Sequence, residues 1–186
     1  NALCHEDEDY TVLKNTETID ESNCDGYIAP YAETPLDEEL TGQCIYEDIL
    51  NSANRYVYIM TPYLIIDSEM INTLIHTAKK GVDVRIIMPG IADKKIIHDI
   101  GESYYHQLIQ GGVKIYEYEP GFVHSKVFIS DDICATVGTI NLDYRSLYLH
   151  FENGTLLYKS KKIMDVKQNF FDTLSHCKEI QIEDTH

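Results

Sequence analysis

The sequence contains no tryptophan, only five prolines and few basic residues for its length of 186. Fifteen lysines and arginines stand against 31 aspartates and glutamates, so the formal net charge is −16. Nucleic-acid-binding proteins present a basic surface to the phosphate backbone. The composition therefore argues against a nucleic-acid partner, and it offers no excess of basic charge for an anionic membrane surface.

The acidic charge is concentrated at the start of the chain. The first 40 residues hold twelve acidic residues and one basic residue, Lys14, which leaves −5 for the remainder. Residues 3–26 also lack helical or strand periodicity. We expect residues 1–25 to consist of a tag remnant, Asn1-Ala2, followed by a weakly ordered acidic linker. On this interpretation the chain is a piece excised from a longer protein.

Long apolar runs and paired cysteines are also missing. No stretch approaches the roughly 18 to 20 apolar residues that cross a bilayer, and no signal peptide is visible. The five cysteines include no Cys-x-x-Cys pair, which is the spacing typical of metal and redox motifs. Reduced thiols in a cytosolic setting are therefore the default expectation.

Strand and helix patterns alternate over residues 26–182, and residues 183–186 are expected to form a tail. Apolar runs predict strands at 26–31, 55–60, 82–88, 113–118, 123–130, 134–137 and 151–158. Amphipathic spacing predicts helices at 41–53, 67–80, 93–110 and 161–176. This alternation indicates an α/β fold. Because neighbouring strands follow each other directly near residue 130, we predict a mixed β-sheet flanked by helices on both faces.

The most informative stretch is His124-Ser-Lys126-x4-Asp131-x6-Gly138-x2-Asn141. On a strand, side chains two positions apart project from the same face, so His124 and Lys126 are expected to share one. An imidazole and an ammonium group are costly there unless an anion lies between them. A phosphoryl group suits both, since the imidazole can attack phosphorus or donate a proton and the ammonium can stabilise the charge.

The residues after Lys126 allow two interpretations each. Asp131 is either a turn residue or a carboxylate that orients a histidine from a partner domain. Gly138 allows the backbone to approach a ligand closely. Asn141 and Thr139 are either donors to phosphate oxygens or turn-forming residues. Asp143 is expected to form an ion pair with Arg145 or to cap a helix.

Together these residues resemble the His-x-Lys-x4-Asp motif of the phospholipase D superfamily, extended by its Gly-x-x-Asn element. The flanking residues 116–124 and 138–146 are similar to the second half of bacterial cardiolipin synthases, as are Thr61-Pro-Tyr63 and residues 81–90. The resemblance covers about residues 26–180 and implies the phospholipase D-like α-β-α sandwich. It implies no metal and no cofactor. It identifies as catalytic His124, Lys126 and Asp131, and as phosphate-binding or supporting Thr139, Asn141 and Glu152.

The resemblance also implies a mechanism shared by two such motifs. One histidine becomes phosphorylated while the other acts as acid and base, so that a phosphatidyl group passes between two phosphatidylglycerol molecules and glycerol is released. The N-terminal motif usually supplies the nucleophile, which would make His124 the acid–base partner, although the residues alone leave open which histidine attacks. Glu152 would hydrogen-bond a catalytic histidine.

This sequence contains one His-x-Lys motif and therefore half of such a site. The implied partners are the N-terminal half of the longer protein, or a second copy, and the phospholipid substrate. The implied location is the cytoplasmic side of the cell membrane, as a peripheral domain reaching the surface through the longer protein. Three alternatives stay open: a homodimeric phosphodiesterase or nuclease with a single motif, a phospholipase D that uses water, and a non-catalytic interaction domain.

Overall fold

The computed structural model describes residues 25–37, 39–91 and 93–185. The predicted N-terminal linker, apart from Asp25, lies outside the described residues. The described part contains ten strands, six α-helices and a 3₁₀ turn, in the order β1 (Tyr27–Glu33), α1 (Thr41–Ser52), β2 (Tyr56–Met60), β3 (Leu64–Ile65), α2 (Ser68–Lys79), β4 (Asp83–Pro89), α3 (Lys95–Glu102), α4 (Tyr105–Gln110), β5 (Lys114–Tyr118), β6 (Val127–Ser130), β7 (Cys134–Gly138), β8 (Leu142–Asp143), α5 (Tyr144–Tyr148), β9 (Glu152–Tyr158), α6 (Lys162–Leu174), β10 (Cys177–Ile180) and the turn Ile182–Asp184.

Eight of the strands form one mixed sheet in the order β1-β9-β7-β6-β2-β4-β5-β10. The neighbours β2, β4 and β5 run parallel. All other neighbours in this sheet are antiparallel. Strands β3 and β8 form a separate parallel pair. The predicted mixed sheet is confirmed.

The central strands follow from their apolar runs. All five residues of β2 are buried, and β4 is buried at its last four positions. Parallel strands that are covered on both faces have near-continuous apolar sequences, as these do. The edge strand β1 is mostly exposed instead. The sequence pattern therefore distinguishes the covered centre of the sheet from its edge.

Helices cover both faces of the sheet. Helices α1, α2 and α4 pack on one face, where Leu50, Leu74 and Leu108 lie in one buried cluster with the sheet residue Phe128. Helix α6 covers the other face, and the ring of its Phe170 stacks on Tyr58 with centroids 4.8 Å apart. The predicted arrangement of helices on both faces is confirmed.

The helix predicted over residues 93–110 is two helices, α3 and α4, separated at Ser103 and Tyr104. The Ser103 hydroxyl donates to the carbonyl of Ile100 at 2.6 Å, and the Tyr104 N–H donates to the Gly101 carbonyl at 3.1 Å. Serine side chains compete with the backbone for such carbonyls. These two hydrogen bonds end α3 at Glu102, about two turns before the predicted end at residue 110.

The C-terminal end of the described chain is more ordered than predicted. Strand β10, which the sequence does not predict, pairs antiparallel with β5. The turn Ile182–Asp184 follows it directly. The predicted boundary at residue 182 therefore falls inside a structured segment, and residues 183–185 continue it.

The strand that carries the motif begins at Val127, not at residue 123 as predicted. Its ladder with β2 ends at the pair Met60 and Val127, because the chain leaves the sheet after β2 at Thr61-Pro62 and proline has no N–H to donate. On the other side, the Gly138 N–H still donates to the Lys126 carbonyl at 3.2 Å. His124 and Lys126 therefore lie just before β6, and the Lys126 carbonyl is bonded to β7.

Candidate active site

His124 and Lys126 line one open cleft of about 390 Å³ at the end of the sheet, together with Val137, Gly138 and residues of α6. Lys126 is buried, with 8% of its surface exposed. Its Nζ donates a hydrogen bond to the carbonyl oxygen of His124 at 2.5 Å, whereas the His124 side of the cleft is exposed. The structure thus brings the two residues together although neither lies in a strand.

Two carboxylates act on the Lys126 ammonium. Burial lowers the pKa of Lys126, and the negative charges of Glu152 and Asp143 act in the opposite direction. A buried amine stays protonated more readily beside such carboxylates. Glu152 therefore acts on Lys126 as a nearby charge. The Glu152 Oε1 also lies 4.0 Å from His150 Nδ1, which is the outer limit for an ion pair.

The amide of Asn141 belongs to a short chain of hydrogen bonds. Its Nδ2 donates to Ser146 Oγ at 2.9 Å, and Ser146 Oγ donates to Glu152 Oε1 at 3.1 Å. The Asn141 Oδ1 is buried and has no hydrogen-bond partner among the described residues. Buried polar atoms are normally paired, so a hydrogen-bond donor on a ligand would give this oxygen the partner that it lacks.

A second cavity of about 440 Å³ lies beside this chain of hydrogen bonds, and Asn141 and Glu152 both line it. Lys94, just before α3, and Arg145 from α5 also line it. The Arg145 side chain donates to His150 Nε2 at 2.7 Å instead of pairing with Asp143. The cavity therefore combines the basic groups of Lys94 and Arg145 with the carboxylates of Asp143 and Glu152.

Gly138 and Thr139 hold two strands together at this end of the sheet. A Cβ atom on Gly138 would lie 2.6 Å from the Cα of Gly154 and would also collide with the Asn153 carbonyl. The close approach that the missing Cβ allows is therefore an approach to β9. Thr139 exchanges two hydrogen bonds with Asn153, since its N–H donates to the carbonyl at 2.8 Å and its Oγ1 accepts from the N–H at 3.0 Å. These bonds fix Thr139 to β9, and its phosphate-binding role stays a prediction.

Asp131 lies at the far end of β6 from His124, and its carboxylate is buried. The carboxylate accepts hydrogen bonds from the backbone N–H groups of Asn54 at 2.8 Å, Arg55 at 2.9 Å and Tyr56 at 2.9 Å. It therefore fixes the start of β2 to the β6–β7 turn. The structure does not bring Asp131 together with the other motif residues.

The turn conformation explains why two aspartates follow β6. Asp131 and Asp132 have φ angles of 57° and 62°. Asp and Asn adopt this left-handed region more readily than most residues. The turn-forming interpretation of Asp131 is therefore the one that its local geometry supports.

Ser146 is the residue that the sequence analysis missed. Its hydroxyl joins Asn141 to Glu152, and its N–H donates to the carboxylate of Asp143 at 2.7 Å, so that Asp143 caps α5 as expected. The spacing Asp143-x-x-Ser146 is a helix-start signal. It could have located the helix, but not the contact with Glu152, which lies beyond the helix.

The mixed sheet, and the cleft that His124 and Lys126 line at its end, agree with the phospholipase D class that the motif resembles. Residues 46–175 match the family described as the cardiolipin synthase, PLD-like domain. The chain belongs to this family.

Relatives and a solved structure agree with this assignment. A Streptococcus mutans protein is 54% identical to this chain over 89% of the chain's residues. Cardiolipin synthase 2 of Bacillus anthracis is 41% identical over 76% of the chain's residues. The chain spans about a third of these relatives, 36% and 28% of their respective lengths. The fold is similar to Nuc of Salmonella typhimurium, a phospholipase D family member, with a TM-score of 0.69 at 15% identity. That match covers 83% of this chain and 98% of Nuc.

A membrane-spanning helix must be both long enough and apolar enough to cross the bilayer. None of the helices in residues 25–37, 39–91 and 93–185 meets both requirements.

Proposed function

We propose that this chain is the C-terminal catalytic half of a cardiolipin synthase, which transfers a phosphatidyl group between two phosphatidylglycerol molecules and releases glycerol. The observation that supports this most strongly is the shared cleft of His124 and Lys126, in a chain that belongs to the cardiolipin synthase domain family. The resemblance and the half-site lead to the same requirement: a second His-x-Lys motif must complete the cleft. The domain would act as a peripheral domain at the cytoplasmic side of the membrane.

The first displacement forms a phosphohistidine. The histidine of the second motif attacks the phosphorus of phosphatidylglycerol, and the bond from phosphorus to the glycerol oxygen breaks. His124, as imidazolium, donates its proton to that leaving oxygen. Such acid–base assistance contributes about 10² to 10⁴ in rate. The exposed position of His124 in the cleft leaves room for the leaving alcohol.

The second displacement returns the proton. Neutral His124 takes a proton from a hydroxyl of the second phosphatidylglycerol, the hydroxyl oxygen attacks phosphorus, and the phosphorus–nitrogen bond breaks. Cardiolipin forms and both histidines return to their starting states. Water entering by the same route would give phosphatidic acid instead, which is the hydrolase alternative.

Lys126 and Asn141 would stabilise the phosphoryl group through both steps. Lys126 provides a buried ammonium beside the cleft, and Asn141 has one N–H that is not used by Ser146. Fixed donors of this kind are each worth about 3 to 4 kcal/mol of transition-state stabilisation. No metal ion is required by this scheme.

The test compares the chain alone with the full-length protein on phosphatidylglycerol vesicles, with cardiolipin and glycerol both quantified. The full-length protein is expected to form both products in equal amounts, and the monomeric chain neither. Replacing His124 by Ala should reduce turnover of the full-length protein at least about 10²-fold. Near-normal turnover of that variant, or robust turnover by the monomeric chain, would refute the half-site mechanism.

A second candidate is supported by the solved structure. Because this chain matches 98% of Nuc, a single domain of this size is a nearly complete chain there. A phosphodiesterase formed from two copies of this chain is therefore the competing proposal. It predicts a dimer in solution that hydrolyses a small phosphodiester such as bis(p-nitrophenyl) phosphate, with loss of that activity when His124 is replaced by Ala.

A further inference from the structure

A separate polar cluster lies where α3 meets β5, outside the two cavities of the candidate active site. His98 and Glu102 lie four residues apart on α3, which places them on one face of the helix. Glu117 reaches the same place from β5. One ligand atom from each of these residues lies within 4.8 Å of the others, and the His98 Nε2 is 3.2 Å from Glu102 Oε1.

The three ligand types define the chemistry of an ion that would fit. An imidazole nitrogen combined with carboxylate oxygens suits Zn²⁺, whereas Mg²⁺ and Ca²⁺ prefer oxygen ligands alone. Ligand atoms around tetrahedral Zn²⁺ lie roughly 3.4 Å apart, as bond lengths near 2.1 Å require. His98 Nε2 and Glu102 Oε1, 3.2 Å apart, are already near that spacing, and all three ligand atoms lie within 4.8 Å of one another.

A second observation comes from Tyr105 at the start of α4. Its side chain is 3% exposed, and its hydroxyl has no partner at hydrogen-bond distance among the described residues. Burial and the nearby Glu117 carboxylate raise the pKa of Tyr105. The same residue lines a cavity of about 350 Å³ together with Glu102 and Glu117. A buried hydroxyl without a partner is unfavourable, and a cation or its bound water in this cavity would supply one.

The side chains of helix α3 are mostly exposed. Only Gly101 is buried among its residues, while Ile96 and Ile100 are 75% and 40% exposed. Burial of apolar side chains therefore contributes little to holding this helix in place. An ion bound by two α3 residues and one β5 residue would join the helix directly to the sheet.

We propose that His98, Glu102 and Glu117 bind a Zn²⁺ ion, with the Tyr105 hydroxyl or a water molecule in the fourth position, and that the ion fastens α3 to β5. Lys178 also lines the cavity, but its Nζ lies 3.6 Å from Asp184 and is partly neutralised there. The site has a consequence for the candidate active site. Ile97, next to His98, lines the cavity that contains Asn141 and Glu152.

The test measures Zn²⁺ affinity of the full chain by competition with a chromogenic chelator. Wild type should bind one Zn²⁺ ion. The His98→Gln and Glu117→Gln variants should each bind Zn²⁺ at least about 10-fold more weakly, because each lacks one ligand. The matched control is His106→Gln, since His106 is exposed on α4 and bonds Thr185 Oγ1 at 2.9 Å. It should retain wild-type affinity.

Co²⁺ substitution separates this site from cysteine-based binding. The Co²⁺ spectrum of wild type should lack thiolate-to-metal charge transfer and should lose its d–d bands in His98→Gln. Equal Zn²⁺ affinities of wild type and both ligand variants would overturn the proposal, as would a thiolate-dominated Co²⁺ spectrum that His98→Gln leaves unchanged.

Tyr105→Phe provides an independent readout on stability. Without Zn²⁺ this variant should unfold at the same temperature as wild type or higher, because it removes an unpartnered hydroxyl. With Zn²⁺ its gain in melting temperature should be smaller than that of wild type. A variant that melts lower than wild type without Zn²⁺ would show that the hydroxyl already has a partner, and would contradict the proposal.

Discussion

The Nζ of Lys126 lies 2.5 Å from the carbonyl oxygen of His124. This bond joins the lysine side chain to the backbone of the histidine two residues before it. The ammonium is thereby buried beneath the cleft that the histidine lines. A change in Lys126 should therefore affect both the stabilisation of negative charge on the phosphoryl group and the position of the His124 imidazole.

Replacement of Lys126 by Met is expected to stabilise the fold at neutral pH while it removes activity. Met is similar in length, and it needs no desolvated charge. Loss of the ammonium should reduce turnover of the full-length protein by about 10² to 10³. Thermal unfolding and the phosphatidylglycerol assay measure the two effects, and the exposed Lys161→Met serves as control for both.

The stabilisation should depend on pH in a defined direction. Burial lowers the pKa of Lys126, so the unfolded chain holds this proton more tightly than the folded chain. Stability of the wild type therefore rises with pH from the lowered folded pKa towards the unfolded value of about 10.4. The advantage of Lys126→Met should be full at pH 7 and should shrink over that alkaline range. An advantage that grows with pH would contradict this sign.

Replacement of Ser146 by Ala should separate a positioning role from a purely structural one. The variant removes the hydroxyl that joins Asn141 Nδ2 to Glu152 Oε1, so a cost in stability of about 1 to 3 kcal/mol is expected. If Asn141 acts on the transition state, kcat should fall by about 10²-fold with little change in KM. Ser68→Ala is the control, since Ser68 is exposed, and unchanged kcat in Ser146→Ala would remove this chain of hydrogen bonds from the mechanism.

Asp131→Asn should destabilise the chain without removing activity from the molecules that remain folded. Asn tolerates the positive φ at this position, but one carboxylate oxygen that accepts backbone N–H bonds is replaced by a donor. We expect a loss of about 1.5 to 3 kcal/mol in urea unfolding. Asp37→Asn is the control, since its carboxylate accepts one exposed N–H bond from Glu39. A large fall in kcat at unchanged stability would instead support the catalytic role that the motif resemblance implies.

Two glycines near the cleft should respond differently to the same substitution. Gly138→Ala introduces a Cβ that lies 2.6 Å from the Gly154 Cα, and such overpacking typically costs about 1 to 3 kcal/mol. Gly121 precedes His124 by three residues, and a Cβ there meets nothing within 4 Å. Gly121→Ala should therefore leave the free energy of unfolding nearly unchanged. Equal effects of the two substitutions would show that β7 and β9 can separate at little cost.

Sequence patterns predicted the elements whose side chains have one clear environment. The buried run of β2 and the amphipathic helices α1, α2 and α6 were found from apolar spacing alone. Strand β10 was missed because two of its four residues are exposed in succession, so no alternating pattern exists. The division between α3 and α4 depends on a serine that bonds to the backbone, which apolar spacing does not record.

The candidate site was predictable where neighbours in sequence are neighbours in space. His124 and Lys126 share a cleft as expected, although the argument from strand alternation does not apply because the strand begins later. The contacts of Asp131 reach residues more than 70 positions away. Long-range contacts of this kind leave no local pattern, so the anchoring role of Asp131 and the part played by Ser146 required the structure.

The most direct test of the central claim is whether a phosphodiester binds between His124 and Lys126. Side-chain NMR signals of both residues would be followed in the full chain during titration with glycerophosphoglycerol, the soluble headgroup diester of the proposed substrate. The account predicts saturable shifts of the His124 and Lys126 signals. The shift of the His124 signal should be lost in the Lys126→Met variant, and both shifts should be retained in Lys161→Met. Saturable binding that leaves both signals unmoved, or that persists unchanged in Lys126→Met, would contradict it.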